Sequence, residues 1–320
     1  MLHDSVVSCI GATPLVHLRR LFPAEGPQVY AKLEFLNPGG SVKDRAARYV
    51  VERGLADGVI GPGTRIVEST SGNFGVALAM TARLYDLRLT LVVDPHITAS
   101  NLAILRCYGA AIEMVDTPAP SGGFVQARVD RVRDLIAADP SALWINQYAN
   151  RLIPEAHYQG TAEEILEAFP GPIDYLVLAV STTGTLNGIA QRLRERHGRL
   201  RVVAVDAVGS VVFGGHAQPR RVPGIGSARV PELLDEHLVD RVVHVGDDDA
   251  IHGCHELLAR EAIFAGGSSG SVVAAIQKLA PELDTSASVV TLLPDRGDRY
   301  LGLIYGTDVD GSATAPGARW

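Results

Sequence analysis

The chain has 320 residues, of which 47% are apolar and 20% charged, and its formal net charge is −7. A basic face for nucleic acid is therefore not predicted, and no apolar run approaches the roughly 18 residues needed to span a bilayer. The N-terminus lacks the basic and apolar regions of a signal peptide. Three widely spaced cysteines, Cys9, Cys107 and Cys254, suggest no disulfide framework. We expect a cytoplasmic protein of about two domains, with no membrane or nucleic-acid partner.

Strand-like and helix-like segments alternate along the chain, and this alternation predicts an α/β fold with parallel sheets covered by helices. Residues 116–123 and 207–229 are predicted to be loops. The predicted strands are 29–34, 65–68, 89–93, 111–115, 175–180, 202–206 and 288–293. The predicted helices are 43–54, 74–85, 99–108, 125–138, 186–196, 249–261 and 271–279.

A lysine occupies an unusual position in the segment from Asn37 to Arg45. This Gly-rich turn leads into the first predicted helix, and Lys43 falls in its first turn. The positive end of the helix dipole opposes a cation there, and it lowers the cost of deprotonating the amine. A neutral lysine amine is the form that condenses with an aldehyde. A solvated surface lysine is the alternative interpretation, and this segment alone favours neither.

Two loops rich in Ser, Thr and Gly each join a predicted strand to a predicted helix. They comprise residues 68–73 and 180–185. Each offers backbone N–H groups, hydroxyls and a helix N-terminus, and this combination binds phosphate or carboxylate without a charged side chain. Ordinary N-capping explains either loop, taken alone, somewhat better. Neither loop matches the Walker pattern or G-x-G-x-x-G.

Two further motifs suggest chemistry that the rest of the sequence does not support. Residues 266–270 match G-x-S-x-G, the nucleophile elbow of α/β-hydrolases, but the histidine of those enzymes follows the serine, and here no histidine follows His255. His252, Cys254 and His255 are too few ligands for a metal site, because no second pair of ligands is spaced to join them. A serine hydrolase is thus a distant alternative, and no metal site is predicted.

Five segments, taken in chain order, resemble the motifs of pyridoxal-phosphate enzymes of fold type II, the cysteine synthase and cystathionine β-synthase group. The resemblance runs from about Ile10 to about Tyr300 and covers nearly the whole chain. It implies pyridoxal 5′-phosphate as cofactor and a fold like that of tryptophan synthase β, with two three-layer αβα domains. The five segments are 37–45, 69–73, 181–185, 266–270 and 293–300.

The resemblance also implies roles for individual residues. Lys43 would hold the cofactor aldehyde as an imine, Asn73 would hydrogen-bond the hydroxyl on the ring, and Ser268 would face the pyridine nitrogen. A serine does not force that nitrogen to be protonated, which suits elimination at the β-carbon better than transamination. The cofactor phosphate would be held by Ser181, Thr182, Thr183, Gly184 and Thr185. The substrate carboxylate would be held by Ser69, Thr70, Ser71, Gly72 and Gln147.

Departures from the cysteine synthases indicate a particular reaction within the group. Their Gly-Thr-Gly-Gly-Thr phosphate loop is replaced by residues 181–185, a Met-Pro segment by 93–101, and Pro-Asp-Ser-Gly-Glu-Arg by 294–299. Together with residues 144–150, these segments resemble enzymes that join O-phospho-L-serine to L-glutamate. Such a reaction is a step toward L-2,3-diaminopropionate for a siderophore or a peptide antibiotic.

Anionic substrates of this kind need donors nearby, for which Arg128, Tyr148 and Ser181 are the candidates. A solvated helix arginine is an equally good interpretation of Arg128, and an aromatic lining residue is the alternative for Tyr148. Two other functions stay open: a cysteine synthase that uses O-acetylserine or O-phosphoserine with sulfide, and a non-catalytic protein that binds the cofactor and an amino acid.

The resemblance finally implies how the chain is divided. Residues 39–150 would form a smaller mobile domain, inserted in a larger one built from residues 1–38 and 151–305. A homodimer is implied as well. Residues 306–320 are predicted to be a disordered tail.

Overall fold

The computed structural model describes residues 2–120 and 123–306. The tail predicted for residues 306–320 lies outside this range except for Gly306. The strands are β1 (Leu15–His17), β2 (Gln28–Leu33), β3 (Arg65–Ser69), β4 (Arg88–Val93), β5 (Ala111–Met114), β6 (Leu143–Trp144), β7 (Tyr175–Ala179), β8 (Arg201–Ala207), β9 (Arg241–Val245) and β10 (Ser288–Leu293). The α-helices are α1 (Lys43–Ala56), α2 (Asn73–Leu84), α3 (Ala99–Cys107), α4 (Gly123–Ala138), α5 (Leu152–Ala156), α6 (Ala162–Ala168), α7 (Gly184–Arg196), α8 (Asp247–Glu261), α9 (Gly267–Leu279) and α10 (Leu301–Ile304).

Several shorter helical segments complete the described secondary structure. A π-helix, His157–Thr161, joins α5 to α6. The 3-10 helices are Val7–Cys9, Glu34–Leu36, Glu236–Leu238, Ala280–Glu282 and Gly297–Tyr300. No helix in the described ranges is long and apolar enough to cross a membrane.

The strands form two separate sheets. The larger has the order β1-β2-β10-β7-β8-β9 and is parallel except for β1, which pairs antiparallel with β2. The smaller has the order β5-β4-β3-β6 and is parallel throughout. All four strands of the smaller sheet lie between β2 and β7 in the chain. This topology is what an inserted smaller domain requires, while the predicted domain boundaries themselves stay a prediction.

Each sheet is covered on both faces, because successive residues of its inner strands belong to different apolar clusters. In β7, Val177 packs in one cluster and its neighbours Leu176 and Leu178 pack in another. In the smaller sheet, Ile66 packs against α1 and α2, whereas Val67 packs against α4. Strands buried on both faces are typical of parallel sheets with helices on either side. The predicted three-layer αβα arrangement is therefore confirmed for both sheets.

All fourteen predicted strands and helices are present, with ends displaced by up to four residues. The largest displacement is in α9, which begins at Gly267 instead of residue 271 and so takes Ser268 into its first turn. The sequence did not reveal β1, β6, β9, α5, α6 or the π-helix. Three of these are strands of two to five residues, too short to show a period.

Helix α1 is anchored to the larger sheet by buried ion pairs. Arg45 lies 2.6 Å from Glu34 and 2.7 Å from Glu164, measured between its guanidinium nitrogens and the carboxylate oxygens. Glu164 also pairs at 2.7 Å with Lys32, which is fully buried and donates to the carbonyl of Thr13. Because these charges satisfy one another away from water, they fix the helix that begins with Lys43.

Candidate active site

A cavity of about 380 Å³ lies where strands of both sheets end. Residues that follow the carboxyl ends of β3, β4, β7 and β10 line it, together with the first turns of α1, α2 and α9. This edge of a parallel sheet is where open α/β folds bind ligands. Thirteen of the fifteen residues predicted for the site line the cavity, and the other two, Ser69 and Gly184, lie in the same loops.

Lys43 is the first residue of α1 and lines the cavity. The backbone N–H of Val42 donates to the carbonyl of Pro294 at 2.8 Å, which fixes the turn just before the lysine. Burial lowers the pKa of Lys43 to about 8, although the negative charge of Asp295 acts in the opposite sense. In the described residues no carboxylate forms an ion pair with its amine. A lysine with these properties can act as a nucleophile and as a proton carrier near neutral pH.

Asn73 begins α2 and is held at both ends of its carboxamide. Its Nδ2 donates to Asp295 at 2.7 Å, and the guanidinium of Arg299 donates to its Oδ1. Asp295 also accepts from the hydroxyl of Tyr300 at 2.5 Å. These partners come from the last motif of the sequence, which had been assigned no individual role.

The loop at residues 69–73 presents hydroxyls that charged groups already contact. Arg128 donates to the Oγ of Ser71 at 2.6 Å and pairs with Asp94 at 3.2 Å. Arg128 is only 7% exposed, so its interpretation as a solvated helix arginine is wrong. Asn101 donates from its Nδ2 to the carbonyl of Ser71 at 3.2 Å. The loop is thus placed by side chains from β4, α3 and α4.

A buried carboxylate supports the backbone of this loop. Glu68 accepts from the backbone N–H of Ser69 at 2.7 Å, from Trp144 Nε1 at 3.3 Å and from the backbone N–H of Gln147 at 3.3 Å. Burial raises the pKa of Glu68 to about 7. Gln147 in turn donates through its side chain to the carbonyl of Ser69 at 2.9 Å. The predicted neighbours Ser69 and Gln147 are therefore in direct contact.

The loop at residues 181–185 has a different character. Thr183 has φ +63°, the left-handed conformation that favours glycine, and it precedes the first residue of α7. Its Oγ1 is buried and has no hydrogen-bond partner. A helix N-terminus with an unsatisfied hydroxyl matches an anionic group that would complete it. The loop therefore fits the phosphate of the cofactor.

A histidine that the sequence did not reveal supports this loop. His157, in the π-helix, contacts Thr185 Oγ1 at 3.1 Å and Thr161 Oγ1 at 2.9 Å. Burial lowers the pKa of His157 well below its usual value, and the positive charges of Lys43 and Arg45 add to the effect. His157 is thus a neutral hydrogen-bonding group at neutral pH.

The predicted loop at residues 207–229 closes the cavity on another side. Ser181 Oγ donates to the carbonyl of Gly226 at 3.0 Å, and the N–H of Gly226 donates to the carbonyl of Val180 at 2.7 Å. Arg220 lines the cavity and donates to the carbonyl of Ile225 at 2.9 Å. A Cβ on Gly226 would lie 2.2 Å from Arg220 Nη1, so a glycine is required beside this arginine.

The remaining predicted residues also lie at the cavity. Tyr148 is 7% exposed, and the guanidinium carbon of Arg229 lies 5.1 Å from the centre of its ring. Ser268 is buried in the first turn of α9 and has no histidine as a hydrogen-bond partner in the described residues, which removes the support for a hydrolase. His255 contacts the carbonyl of Ile304 at 2.8 Å. The described residues contain no group of three or more His, Cys, Asp or Glu side chains placed to hold a metal ion.

The chain is similar to known proteins along nearly its whole length. It is 56% identical over 305 residues to an N-(2-amino-2-carboxyethyl)-L-glutamate synthase of Ralstonia nicotianae, with 95% of this chain and 90% of that protein covered. A protein of the same name from Cupriavidus metallidurans is 54% identical over 308 residues, with the same coverage.

Solved structures give the same result for the fold. O-ureido-L-serine synthase with O-ureido-L-serine bound superposes with a TM-score of 0.89 at 34% identity, with 97% of this chain and 96% of that chain covered. An O-acetylserine-dependent cystathionine β-synthase of Helicobacter pylori has a TM-score of 0.87 at 32% identity, with 95% and 99% covered. The fold-type II architecture expected from the sequence is confirmed.

The model of one protein family matches residues 6–295, a span that includes every residue predicted for the site. Pyridoxal phosphate needs an amine for its aldehyde and a site for its phosphate. The lysine at the start of α1 and the unsatisfied hydroxyl of Thr183, with the cavity between them, fit these needs. The chain belongs to the family of pyridoxal-phosphate dependent enzymes.

Proposed function

We propose that this enzyme joins O-phospho-L-serine to L-glutamate and releases phosphate, giving N-(2-amino-2-carboxyethyl)-L-glutamate. The observation that carries the proposal is the identity of 54–56% with two synthases of that name, over nine-tenths of their length. In the reaction, the bond between the β-carbon and the phosphate oxygen of phosphoserine breaks. The amine of glutamate loses a proton and bonds to that β-carbon.

The residues of the cavity divide this work. Bound pyridoxal phosphate supplies an electron sink for the α-carbon of phosphoserine. Lys43 Nζ would hold the cofactor, and as a free amine it would take the proton from the α-carbon of phosphoserine. Its lowered pKa, about 8, keeps a useful fraction of the amine neutral near physiological pH. Ser268 would bind the pyridine nitrogen, and residues 181–185 would hold the cofactor phosphate.

The charges around the cavity support anionic substrates. Apart from Lys43, its lining includes two cations, Arg128 and Arg220, and only one acidic residue, Asp94. Asp94 pairs with Arg128, whereas Arg220 has no ion pair in the described residues. Phosphoserine and glutamate together bring a phosphate and three carboxylates. The excess of cations therefore suits this pair better than O-acetylserine with sulfide.

The loop at residues 69–73 and Gln147 would hold the α-carboxylate of phosphoserine. Binding there would draw residues 39–150 toward the larger sheet and exclude water from the reacting carbon. We also infer that the enzyme works as a cytoplasmic homodimer. The product is a step toward L-2,3-diaminopropionate, for a siderophore or a peptide antibiotic.

Product identification tests the proposal. The purified holoenzyme is given phosphoserine with glutamate, with sulfide, or with neither, and both free phosphate and product mass are followed. We expect phosphate release coupled to a mass equal to glutamate plus the carbon skeleton of phosphoserine. Cysteine formed efficiently from sulfide, with no product from glutamate, would replace the proposal by a cysteine synthase. No phosphate release under any condition would indicate a protein that binds the cofactor without turnover.

A further inference from the structure

A second group of residues, from the segment that follows β10, surrounds Asn73. Asp295, Arg299 and Tyr300 are 2%, 9% and 6% exposed. They are separated from Asn73 by more than 220 residues in the chain, yet two of them bond its carboxamide directly. Since the cofactor chemistry is assigned to other residues, these side chains need a role of their own.

Hydrogen-bond chemistry fixes the orientation of the carboxamide without ambiguity. A guanidinium can only donate, so the atom of Asn73 that faces Arg299 is its oxygen. The carboxylate of Asp295 accepts, so the atom that faces it at 2.7 Å is the nitrogen. The oxygen of Asn73 therefore lies toward Arg299, and one of its two side-chain N–H bonds is used by Asp295. The second N–H of the carboxamide is left as a donor.

The same residues also hold the turn that precedes Lys43. Arg299 donates from its other terminal nitrogen to the carbonyl of Gly39. Gly40 has φ +82°, and a Cβ on it would lie 3.2 Å from that nitrogen of Arg299, so a side chain there would meet both strain and crowding. Asp295 pairs across a backbone bridge with Ser41. One buried unit therefore places both Asn73 and the Lys43 turn.

We propose that Asp295 and Arg299 are positioning residues that orient the Asn73 carboxamide, so that its remaining N–H serves as a hydrogen-bond donor toward the cavity. The inference rests on the assignment of Asn73 to the ring hydroxyl of the cofactor, and it deepens that assignment. A donor at that position favours an ionised ring oxygen over a protonated hydroxyl, because an N–H bonds more strongly to a charged acceptor. Tyr300 supports the arrangement by donating to the same oxygen of Asp295 at 2.5 Å.

A double-mutant cycle tests this role. Arg299→Met, Asn73→Ala and the double variant are prepared as holoenzymes, and Arg296→Met serves as the matched control. Arg296 lies in the same segment, but its side chain is 54% exposed and pairs with Asp298 at the surface. Two quantities are measured across pH: the dissociation constant of pyridoxal phosphate, and the ratio of the absorption bands that report an ionised and a protonated ring oxygen.

Arg299→Met should shift the band ratio toward the protonated form and weaken cofactor binding about tenfold, which corresponds to about 1.4 kcal/mol. Asn73→Ala should do the same, and the band ratio of the double variant should equal that of Asn73→Ala alone, since Arg299 affects the ring oxygen through Asn73. Cofactor affinity of the double variant should fall further, because Arg299 also holds the carbonyl of Gly39. The control should match the parent. A band ratio in the double variant that differs from that of Asn73→Ala, or a parental band ratio in Arg299→Met, would overturn the proposal.

If Arg299→Met does not fold, Asp295→Asn takes its place in the cycle, because it removes the charged acceptor of Asn73 and preserves the shape of the side chain. The band ratios of Asp295→Asn and of its double variant with Asn73→Ala then decide whether the proposal holds. Failure of the proposed reaction is distinguished easily, since both measurements need only the cofactor and neither substrate. An enzyme that makes no product from phosphoserine and glutamate can still confirm or contradict the role of Arg299.

Discussion

The two Ser/Thr/Gly loops look alike in the sequence and differ in the folded molecule. In the loop at residues 69–73, Ser71 is already bonded to Arg128, and the backbone is supported by Glu68 and Gln147. In the loop at residues 181–185, Thr183 adopts a left-handed conformation, and its hydroxyl is buried without a partner. Each loop keeps one buried hydroxyl without a partner, Ser69 Oγ in the first and Thr183 Oγ1 in the second, but of the two loops only the second has a residue at positive φ.

The difference supports our proposal for what each loop binds. In the first loop, Ser71 and its partner Arg128 offer a hydroxyl and a guanidinium to a substrate carboxylate. In the second, a strained backbone at a helix N-terminus, with a buried hydroxyl, gains from a ligand that stays bound and supplies the missing partner. The proposed assignment of the substrate to residues 69–73 and of the cofactor phosphate to 181–185 can be tested on either side.

The largest expected effect comes from the residue that both loops face. Lys43→Ala should lower kcat by about a thousandfold or more, because it removes both the tether and the proton carrier. The chain contains only three lysines, so the tether can be mapped directly. Reduction of the holoenzyme with borohydride should attach the cofactor to Lys43. Lys32 is buried in an ion pair, and Lys278 is paired with Asp249 at the surface.

Lys278→Ala is the matched control for this experiment. It should retain the parental kcat and the same reduced adduct, since that lysine lies away from the cavity. A reduced adduct on Lys278, or parental turnover by Lys43→Ala, would remove the basis for assigning either loop.

The substrate side of the comparison depends on Arg128. Arg128→Lys keeps the charge but replaces the guanidinium fork, which meets Ser71 through Nη1 and Asp94 through Nε, by a single ammonium on a different stem. We expect KM for phosphoserine to rise about tenfold, while cofactor affinity stays within a factor of two. Arg131→Lys is the control, since Arg131 is 41% exposed on the same helix and pairs with Glu113. Equal effects on KM and on cofactor binding would show that the two loops are not separate in function.

The cofactor side of the comparison depends on Thr183. Thr183→Gly should stabilise the cofactor-free protein by up to about 1 kcal/mol, because glycine adopts positive φ without strain. It should also weaken cofactor binding severalfold, because the unpartnered hydroxyl is lost. Thr182→Gly is the control: it relieves no positive φ and should lower the melting temperature. A destabilised Thr183→Gly protein would mean that the strain is not stored at this residue.

Local signals account for what the sequence reveals of the site. Lys43, Asn73, Thr183 and Ser268 each lie in, or directly before, the first turn of a helix, beside Gly, Ser or Thr residues that short motifs pick out. The surroundings of these residues were not predictable in the same way. Asp295 and Asn73 are 222 residues apart, and nothing local to either indicates their contact.

Other gaps have similar physical reasons. His157 lies in a π-helix inside a segment with no clear period, and only the fold brings it to Thr185. Arg220 lies in a long loop of mixed composition, and only the fold brings it to the cavity and to the carbonyl of Ile225. Sequence pattern indicates the residues that we propose to contact ligands, and it gives no signal for the side chains that support them.

The smallest expected effect on ligand binding concerns Asp44, which adjoins Lys43 and belongs to neither loop. Its Oδ2 accepts from the backbone N–H of Gly39 at 2.5 Å, while its Oδ1 is buried without a partner. Burial raises the pKa of Asp44 to about 7. The folded protein therefore keeps this proton up to about pH 7, whereas the unfolded chain loses it near pH 4. Between these values the folded state binds more protons, so the contribution of Asp44 to stability falls as pH rises.

Asp44→Asn should remove that dependence. At pH 8 the free energy of unfolding should rise by about 1 to 2 kcal/mol, since the amide carries no charge and still accepts from Gly39. Near pH 4 the variant and the parent should agree. Asp57→Asn is the control at the far end of α1, where the carboxylate is half exposed and paired with Arg53, and it should change stability by less than about 0.5 kcal/mol. Chemical denaturation at the two pH values measures both. A parental pH profile in Asp44→Asn would mean that the carboxylate of Asp44 is charged at no cost, and that burial at the turn before Lys43 does not raise its pKa.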